Sequence, residues 1–233
     1  MRVSAEVGTW LARRSSRAGD WWAGELVVAK RGTRVSVVIP ARDEAETVGA
    51  IVGTIRRELV ERFPLVDEIL VVDSHSTDAT AEVARAAGAD VVAQDAVFPA
   101  LEGLPGKGEA LWKGVAETTG DLVVFVDGDL RDFTAGYVTG LLGPLLTDPG
   151  IAYVKGFYHR PLAGAAGVEP DGGGRVISAA PPSTSLAQFR RGVGEGVERE
   201  LVLTDVALTQ RPPLESLPPE IRPENSPALR RSA

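Results

Sequence analysis

The sequence lacks cysteine altogether and has only two histidines among its 233 residues. Without cysteine the chain forms no disulfide, no thiolate nucleophile and no zinc–thiolate site. The absence of disulfides fits a reducing compartment, so we expect a cytoplasmic protein. We expect both histidines, His75 and His159, to be solvated or packed rather than to bind a metal.

The sequence also lacks an excess of positive charge and any long apolar run. Its 25 basic residues are outnumbered by 32 acidic ones, which gives a net charge of −7. This balance offers no broad attraction to nucleic acid or to an anionic membrane, so local groups must bind any anionic ligand. No apolar run approaches the length of a membrane span, and the amino terminus lacks the order of a signal peptide. We therefore predict a soluble protein with small-molecule ligands.

Apolar runs alternate with amphipathic helical patterns between about residues 35 and 160. Strands are predicted over residues 35–39, 68–72, 90–93, 122–126 and 151–157. Helices are predicted over residues 44–63, 77–87 and 109–118, and around residues 137–145. Asp43 and Glu46 form a plausible capping pair for the first of these helices. Strands that alternate with single helices are typical of a doubly wound α/β fold with a mainly parallel sheet.

The two ends of the sequence differ from this centre. Residues 1–34 contain Trp10, Trp21 and Trp22, which we expect to pack rather than to stack on a base. Ten of the 16 prolines follow Arg160, where the pattern dissolves apart from a possible strand over residues 200–208. The sequence thus divides into a lead-in helix region over residues 1–34, a central domain over 35–162 and an irregular, partly disordered tail over 163–233.

Two carboxylates, Asp127 and Asp129, stand one residue apart where the apolar run 122–126 ends. Open α/β sheets bind their ligands at the carboxyl ends of the strands. Two nearby carboxylates repel each other unless a cation lies between them, and Mg²⁺ or Mn²⁺ with a bound diphosphate meets that need. Gly128, between them, allows the backbone to approach a bulky ligand.

Two earlier strands also end in polar loops. After the first strand, Arg42, Asp43 and Glu44 begin a turn whose free N–H groups and acids suit a uracil edge or a ribose hydroxyl, although Asp43 taken alone is equally suited to cap its helix. After the second strand, Asp73 and Ser74 are expected to face the same crevice.

A lysine between two glycines precedes the third helix. Lys107 stands between Gly106 and Gly108 at a helix start, where its charge and the helix dipole both favour a diphosphate. The order of residues is not that of a P-loop, which argues against an ATPase. A lysine on a turn is usually only solvated, but the neighbouring loops favour a phosphate-binding role.

Several separate loops together resemble one enzyme family. The segments 37–44, 71–78, 106–108 and 127–129 resemble nucleotide-sugar glycosyltransferases of the GT-A (Rossmann-like) type. The segments 105–112, 143–146, 154–162 and 172–176 are more closely similar to the glucosyl-3-phosphoglycerate synthases of actinobacteria. The likeness runs from about residue 9 to residue 177, and it is specific because independent loops agree in order and spacing.

The resemblance implies transfer of glucose from UDP-glucose to the 2-hydroxyl of 3-phosphoglycerate, with retention at the anomeric carbon and with Mg²⁺ or Mn²⁺. The predicted catalytic residues are Asp129, which would bind the metal, and Lys107, which would contact donor phosphate. The remaining predicted substrate-binding residues fall into a donor set and an acceptor set. The donor set is Pro40, Ala41, Arg42, Asp43, Glu44, Ser74, Asp127 and Gly128, and the acceptor set is Gly174, Arg175, Val176 and Ile177.

The sequence departs from the family after Arg175. The family continues there with a long segment that shapes the acceptor side, supplies a histidine to the metal and joins subunits into a homo-oligomer. Here the segments 186–189 and 210–214 follow almost at once and resemble the family's extreme carboxyl terminus. Ile177 stands where the family has threonine. The alternative reading is therefore an inactive remnant that binds a nucleotide sugar without transferring it.

Overall fold

The computed structural model describes residues 9, 13–101, 103–104, 106–157 and 175–179. The described residues form two compact units. One lies within Gly32–Phe133, and the other contains the described residues up to Arg31 and from Thr134 onward. Among the described helices, none has both the length and the apolar character needed to cross a membrane.

Seven strands and five α-helices lie wholly within the described residues. The strands are β1 (Ser15–Arg17), β2 (Val35–Ala41), β3 (Glu68–Asp73), β4 (Asp90–Ala93), β5 (Leu122–Phe125), β6 (Tyr153–Phe157) and β7 (Arg175–Ala179). The α-helices are α1 (Ala23–Lys30), α2 (Val48–Ile55), α3 (Thr80–Ala87), α4 (Lys107–Glu117) and α5 (Gly136–Thr147). Short 3₁₀ helices cover Ala18–Asp20 and Gln94–Ala96.

The first unit is built on a four-stranded parallel sheet of order β4-β3-β2-β5. All seven residues of the central strand β2 are buried, as expected for a strand covered on both faces. On one face Val38, Leu70 and Val72 pack with Ala110 of α4. Near them, the Phe98 and Trp112 rings lie 5.0 Å apart between centroids. The predicted α/β class with a parallel sheet is confirmed.

The prediction of the first helix was wrong in extent. The α-helix begins at Val48, not at residue 44, and at Arg56 it continues as a π-helix, Arg56–Arg62. Asp43 does not cap this helix, because Thr47 is the residue that precedes its first turn. The second predicted helix likewise begins at Thr80 and not at residue 77. In both loops side chains accept hydrogen bonds from backbone N–H groups, Thr80 and Asp78 from Glu44 and Ala45, and Asp43 from Thr77.

The fifth predicted strand does not join the parallel sheet. β6 pairs antiparallel with β7, which pairs antiparallel with β1, in a three-stranded sheet of the second unit. The residues of β7 had been assigned to an irregular tail, so that assignment is corrected for Arg175–Ala179. The strand predicted over residues 200–208, His159 and Trp10 lie outside the described residues.

The tryptophan pair of the second unit shows two environments. The Trp21 Nε1 donates a hydrogen bond of 3.0 Å to the Ser16 Oγ, and its ring lies so close to Gly143 that a Cβ there would clash with it. Trp21 therefore packs as predicted. The Trp22 side chain is 61% exposed, although its ring lies against Gly24.

Two helical glycines of the first unit predict opposite effects of the same substitution. A Cβ on Gly114 of α4 would lie 2.5 Å from the Val38 Cγ1, whereas a Cβ on Gly53 of α2 would meet nothing within 4 Å. We expect Gly114→Ala to lower the free energy of unfolding by about 1–3 kcal/mol because it overpacks the helix–sheet contact. Gly53→Ala, the matched control, should raise it by about 0.5–1 kcal/mol. Urea denaturation of both variants measures the difference, and equal effects would contradict the packing described here.

Candidate functional site

The loop after β5 lies against the end of β2. The Val126 N–H donates to the Val38 carbonyl at 3.0 Å, so strand pairing reaches one residue beyond β5. At the next turn, a Cβ on Gly128 would lie 3.2 Å from the Pro40 carbonyl oxygen and 3.4 Å from the Ala41 Cβ. A glycine is needed here for this close approach, which brings Asp127 and Asp129 to the carboxyl edge of the sheet as predicted.

A buried hydrogen bond holds this loop in place. The Thr47 Oγ1 donates to the Gly128 carbonyl oxygen at 2.6 Å, and the pair is buried. Thr47 also begins α2, so one hydroxyl ties the start of that helix to the loop that carries both aspartates. The sequence analysis missed Thr47, because nothing local marks a partner 81 positions away.

Lys107 contacts Asp127 through an ion pair between its Nζ and the Asp127 Oδ1. Lys107 is the first residue of α4, and Gly106 before it has a φ of +109°, a conformation that favours glycine. Both side chains are about half exposed, so this ion pair contributes little to stability. The ion pair instead holds the Lys107 ammonium in position. Because this group has three donors, it can contact Asp127 and a phosphate oxygen at the same time.

Several charged groups at this edge of the sheet shift the pKa of Glu44. Burial raises the pKa of Glu44 above its usual value, and the nearby Asp129 carboxylate raises it further. Asp78 acts in the same direction, while the hydrogen bond from Thr47 and the Lys107 ammonium oppose the shift. Negative charge is thus crowded around one lysine, and an added cation would relieve it.

The carboxylate oxygens suit a hard divalent cation, but they do not enclose one. In the part of the chain that the structure describes, no three His, Cys, Asp or Glu residues are grouped so that they could hold a metal ion. If Asp129 binds the cation, as predicted, a bound diphosphate and water would have to complete the shell. Mg²⁺ tolerates this arrangement because it keeps several waters and is commonly held by one or two carboxylates and substrate phosphates.

Asp43 joins the loop after β2 to the loop after β3. Its Oδ1 accepts hydrogen bonds from the Thr77 N–H at 2.6 Å and from the Thr77 Oγ1 at 3.1 Å. Its own N–H donates to the Ser76 Oγ at 3.0 Å. Asp43 has a φ of +55°, which aspartate tolerates better than most residues. Its carboxylate therefore orders a neighbouring loop and does not cap its own helix.

Asp78 and Thr80 complete this junction from the other side. The Glu44 N–H donates to the Thr80 Oγ1 at 2.8 Å, and the Ala45 N–H donates to the Asp78 Oδ2 at 3.1 Å. The Asp78 Oδ1 accepts the Thr80 N–H at 2.9 Å and also the Thr80 hydroxyl, which holds the pKa of Asp78 below its usual value. Both residues were missed as parts of the site.

Ser74, the first residue of the loop after β3, forms a hydrogen bond with Gln94. The Ser74 N–H donates to the Ala41 carbonyl at 2.8 Å, and its Oγ donates to the Gln94 Oε1 at 2.9 Å. His75 has a φ of +64°, and its Nε2 lies 2.7 Å from the Asp95 Oδ2, with the imidazole more than half exposed. The Asp73 Oδ1 is buried without a hydrogen-bond partner among the described residues. Such an acceptor suits a donor from a ligand.

The remaining predicted residues divide between the two units. Pro40 and Ala41 are the last residues of β2 and are buried, so they offer backbone rather than side chains, while Arg42 is exposed. Arg175, Val176 and Ile177 lie on β7 of the second unit. Gly174 lies outside the described residues. The ligand roles of all these residues stay predictions.

Comparison with known proteins identifies the family. The model of glycosyl transferase family 2 matches residues 36–165. The chain belongs to glycosyl transferase family 2. It is 50% identical over 167 residues to a glucosyl-3-phosphoglycerate synthase of Mycolicibacterium smegmatis, covering 72% of this chain and 54% of that protein. The predicted resemblance is thereby confirmed.

Solved structures of two related synthases share the fold. The mannosyl-3-phosphoglycerate synthase from Rubrobacter xylanophilus has a TM-score of 0.63 and 40% identity, over 69% of this chain and 51% of that one. The glucosyl-3-phosphoglycerate synthase from Mycobacterium tuberculosis, solved with Mn²⁺, UDP and phosphoglyceric acid, has a TM-score of 0.53 and 47% identity, over 56% and 45%. The present chain thus spans about half the length of its relatives.

The buried Thr47 hydroxyl predicts a sharp difference between two small substitutions. Thr47→Val keeps the shape of the side chain but leaves the Gly128 carbonyl without its donor, so we expect the free energy of unfolding to fall by about 1–3 kcal/mol. Thr47→Ser retains the hydroxyl, so it should lower the free energy of unfolding by clearly less. Chemical denaturation of both variants makes the comparison, and equal losses would show that the hydrogen bond is not what holds this loop.

Asp78 predicts a pH-dependent contribution to stability. Because its pKa is lowered in the folded state from a usual 3.8, its ionised form stabilises the protein above that value. This contribution is lost as the pH falls through the lower, folded pKa. Thermal melts of the parent and of Asp78→Asn between pH 2.5 and 7 should therefore differ most near neutral pH and converge in acid. A difference that grows on acidification would contradict this assignment.

Proposed function

We propose that this chain is a retaining glucosyltransferase that transfers glucose from UDP-glucose to the 2-hydroxyl of 3-phosphoglycerate, with Mg²⁺ or Mn²⁺. One observation carries the proposal. Four charged residues lie together at one edge of the sheet, namely Lys107, Asp127, Asp129 and Glu44. Half of the aligned residues are shared with a synthase of that name. The lack of cysteine in the present chain agrees with a cytoplasmic location.

The donor diphosphate is proposed to lie between α4 and the loop after β5. Lys107 would donate to its oxygens, and the first N–H groups of α4 would add favourable dipole. Asp129 would hold the divalent cation, and Asp127 and Gly128 would contact the nucleotide sugar. When bound, the cation supplies positive charge that stabilises the UDP leaving group.

The uridine is proposed to lie over the ends of β2 and β3. The backbone of Pro40 and Ala41, with Arg42, Asp43 and Glu44, would border it on one side and Ser74 on the other. Asp43 already accepts two hydrogen bonds from Thr77, so its contribution is to fix the loop as well as to offer a remaining lone pair.

The acceptor is proposed to bind near Gly174, Arg175, Val176 and Ile177. The guanidinium of an arginine forms paired hydrogen bonds with phosphate or carboxylate, the two charged groups of 3-phosphoglycerate. Retention and the choice of the 2-hydroxyl follow the family resemblance. Correct positioning of this acceptor would supply much of the rate.

A second candidate is nucleotide-sugar binding without transfer. It is favoured by the donor set at the site, because no three His, Cys, Asp or Glu residues among the described ones are grouped to hold a cation. The two functions share every donor-side residue. Turnover with acceptor therefore separates them, whereas donor binding does not.

Release of UDP from UDP-glucose, with Mn²⁺ and with or without 3-phosphoglycerate, tests the proposed function. We expect release that the acceptor stimulates. Asp129→Asn and Lys107→Ala should each lower the rate by roughly 10²–10³-fold, because each removes a charge that stabilises the leaving group. Asp90→Asn, an exposed carboxylate at the start of β4, is the matched control and should leave the rate unchanged.

The outcomes distinguish the candidates. Acceptor-stimulated release that the Asp129 and Lys107 variants lose supports the transferase. UDP binding without release, measured by calorimetry, supports the binding function. Neither binding nor release would overturn both.

A further inference from the structure

Gln94 lies behind the predicted uridine contact Ser74 and is nearly inaccessible. Its residue exposure is 4%, although it sits in a short 3₁₀ helix that follows β4. A buried amide is retained in a protein interior only where its polar atoms are satisfied. Here the side-chain oxygen of Gln94 accepts the Ser74 hydroxyl at 2.9 Å.

The main chain of Gln94 is fixed as firmly as its side chain. The Lys113 Nζ donates to the Gln94 carbonyl oxygen at 2.9 Å. Lys113 is itself 1% exposed, and its charge is balanced by the Glu109 Oε1 at 3.3 Å, one turn earlier on α4. A buried ammonium is costly unless it is paired, so these contacts leave Gln94 little freedom to move.

This arrangement determines what Ser74 offers a ligand. A hydroxyl has one donor hydrogen and two acceptor lone pairs, and the amide oxygen of Gln94 takes the hydrogen. The Ser74 backbone N–H is also engaged, since it donates to the Ala41 carbonyl at 2.8 Å. The hydroxyl oxygen therefore remains as an acceptor and requires a donor from the ligand.

Pyrimidine bases differ in this respect. At neutral pH the ring N3 of uracil carries a hydrogen, whereas the ring N3 of cytosine carries a lone pair. A serine oxygen that only accepts pairs with the N3–H of uracil, whereas at the N3 of cytosine it would meet a second lone pair. Ser74 is partly buried, so a base that leaves its oxygen without a donor loses affinity relative to one that supplies a donor.

We propose that Gln94 is a positioning residue that fixes the Ser74 hydroxyl as an acceptor and so makes the nucleotide site select uracil over cytosine. This inference rests on the proposed function, which assigns Ser74 to the uridine end of the donor. Lys113 and Glu109 extend the arrangement to α4, whose first residue is Lys107. The elements that hold the base and the diphosphate are thereby joined by buried contacts.

The test compares the affinities of UDP and CDP for the full chain by calorimetry with Mn²⁺. Gln94→Met keeps the length of the side chain but removes the acceptor, and it should lower the UDP-to-CDP affinity ratio by about tenfold, the worth of one hydrogen bond. Gln94→Glu is the matched control, since its carboxylate still accepts the hydroxyl hydrogen, and it should keep the ratio. A merely structural role of Gln94 would weaken both nucleotides equally and leave the ratio unchanged.

Ser74→Ala provides a second test, which does not require that the Gln94→Met variant folds. Ser74→Ala should lower the ratio by a similar factor, and the double variant Ser74→Ala/Gln94→Met should lower it no further. If Ser74→Ala or Gln94→Met binds UDP tightly with an unchanged UDP-to-CDP affinity ratio, this inference alone is overturned. A lowered ratio in Gln94→Glu would overturn it as well. No UDP binding by the parent chain would overturn the proposed function and this inference with it.

Discussion

The hydrogen bonds between the loops after β2 and β3 are the constraint on which the site depends. Three consecutive backbone N–H groups, those of Asp43, Glu44 and Ala45, donate to Ser76, Thr80 and Asp78. Asp43 returns the contact by accepting from Thr77. These bonds order the chain between the end of β2 and α2, which begins at Val48. The strand end thus stays open at the edge where ligands of α/β sheets bind.

The second organising feature is an imbalance of charge. Glu44, Asp127 and Asp129 gather near one lysine, and the pKa of Glu44 is raised, first by burial and then by the Asp129 carboxylate. A half-exposed ion pair between Lys107 and Asp127 does not offset this crowding. The protein instead keeps a set of oxygen donors and one half-exposed ammonium, which suits a ligand that brings a cation and a diphosphate together.

Local patterns predicted the frame of this site, but not the contacts that fix it. The bounds of β4 were predicted correctly, and Lys107 and Asp127, both predicted to contact the same donor, form an ion pair that was not predicted. The apolar run before Phe157 marked a strand correctly, yet periodicity carries no information on its partner, so its place in the parallel sheet was wrong. The contacts of Thr47 and Gln94 escaped prediction for the same reason. Their partners, Gly128 and Ser74, are 81 and 20 positions away, and only the fold brings them together.

The predicted donor residues and the predicted acceptor residues lie in different units of the chain. All predicted donor residues lie between Pro40 and Asp129, within one compact unit, and the hydrogen bonds that order their loops come from the same unit. The predicted acceptor residues, by contrast, begin at Gly174, and those of them that are described lie on a strand of the other unit. The order of the predicted donor residues therefore depends on contacts within their own unit, whereas the proposed transfer of glucose depends also on residues of the other unit.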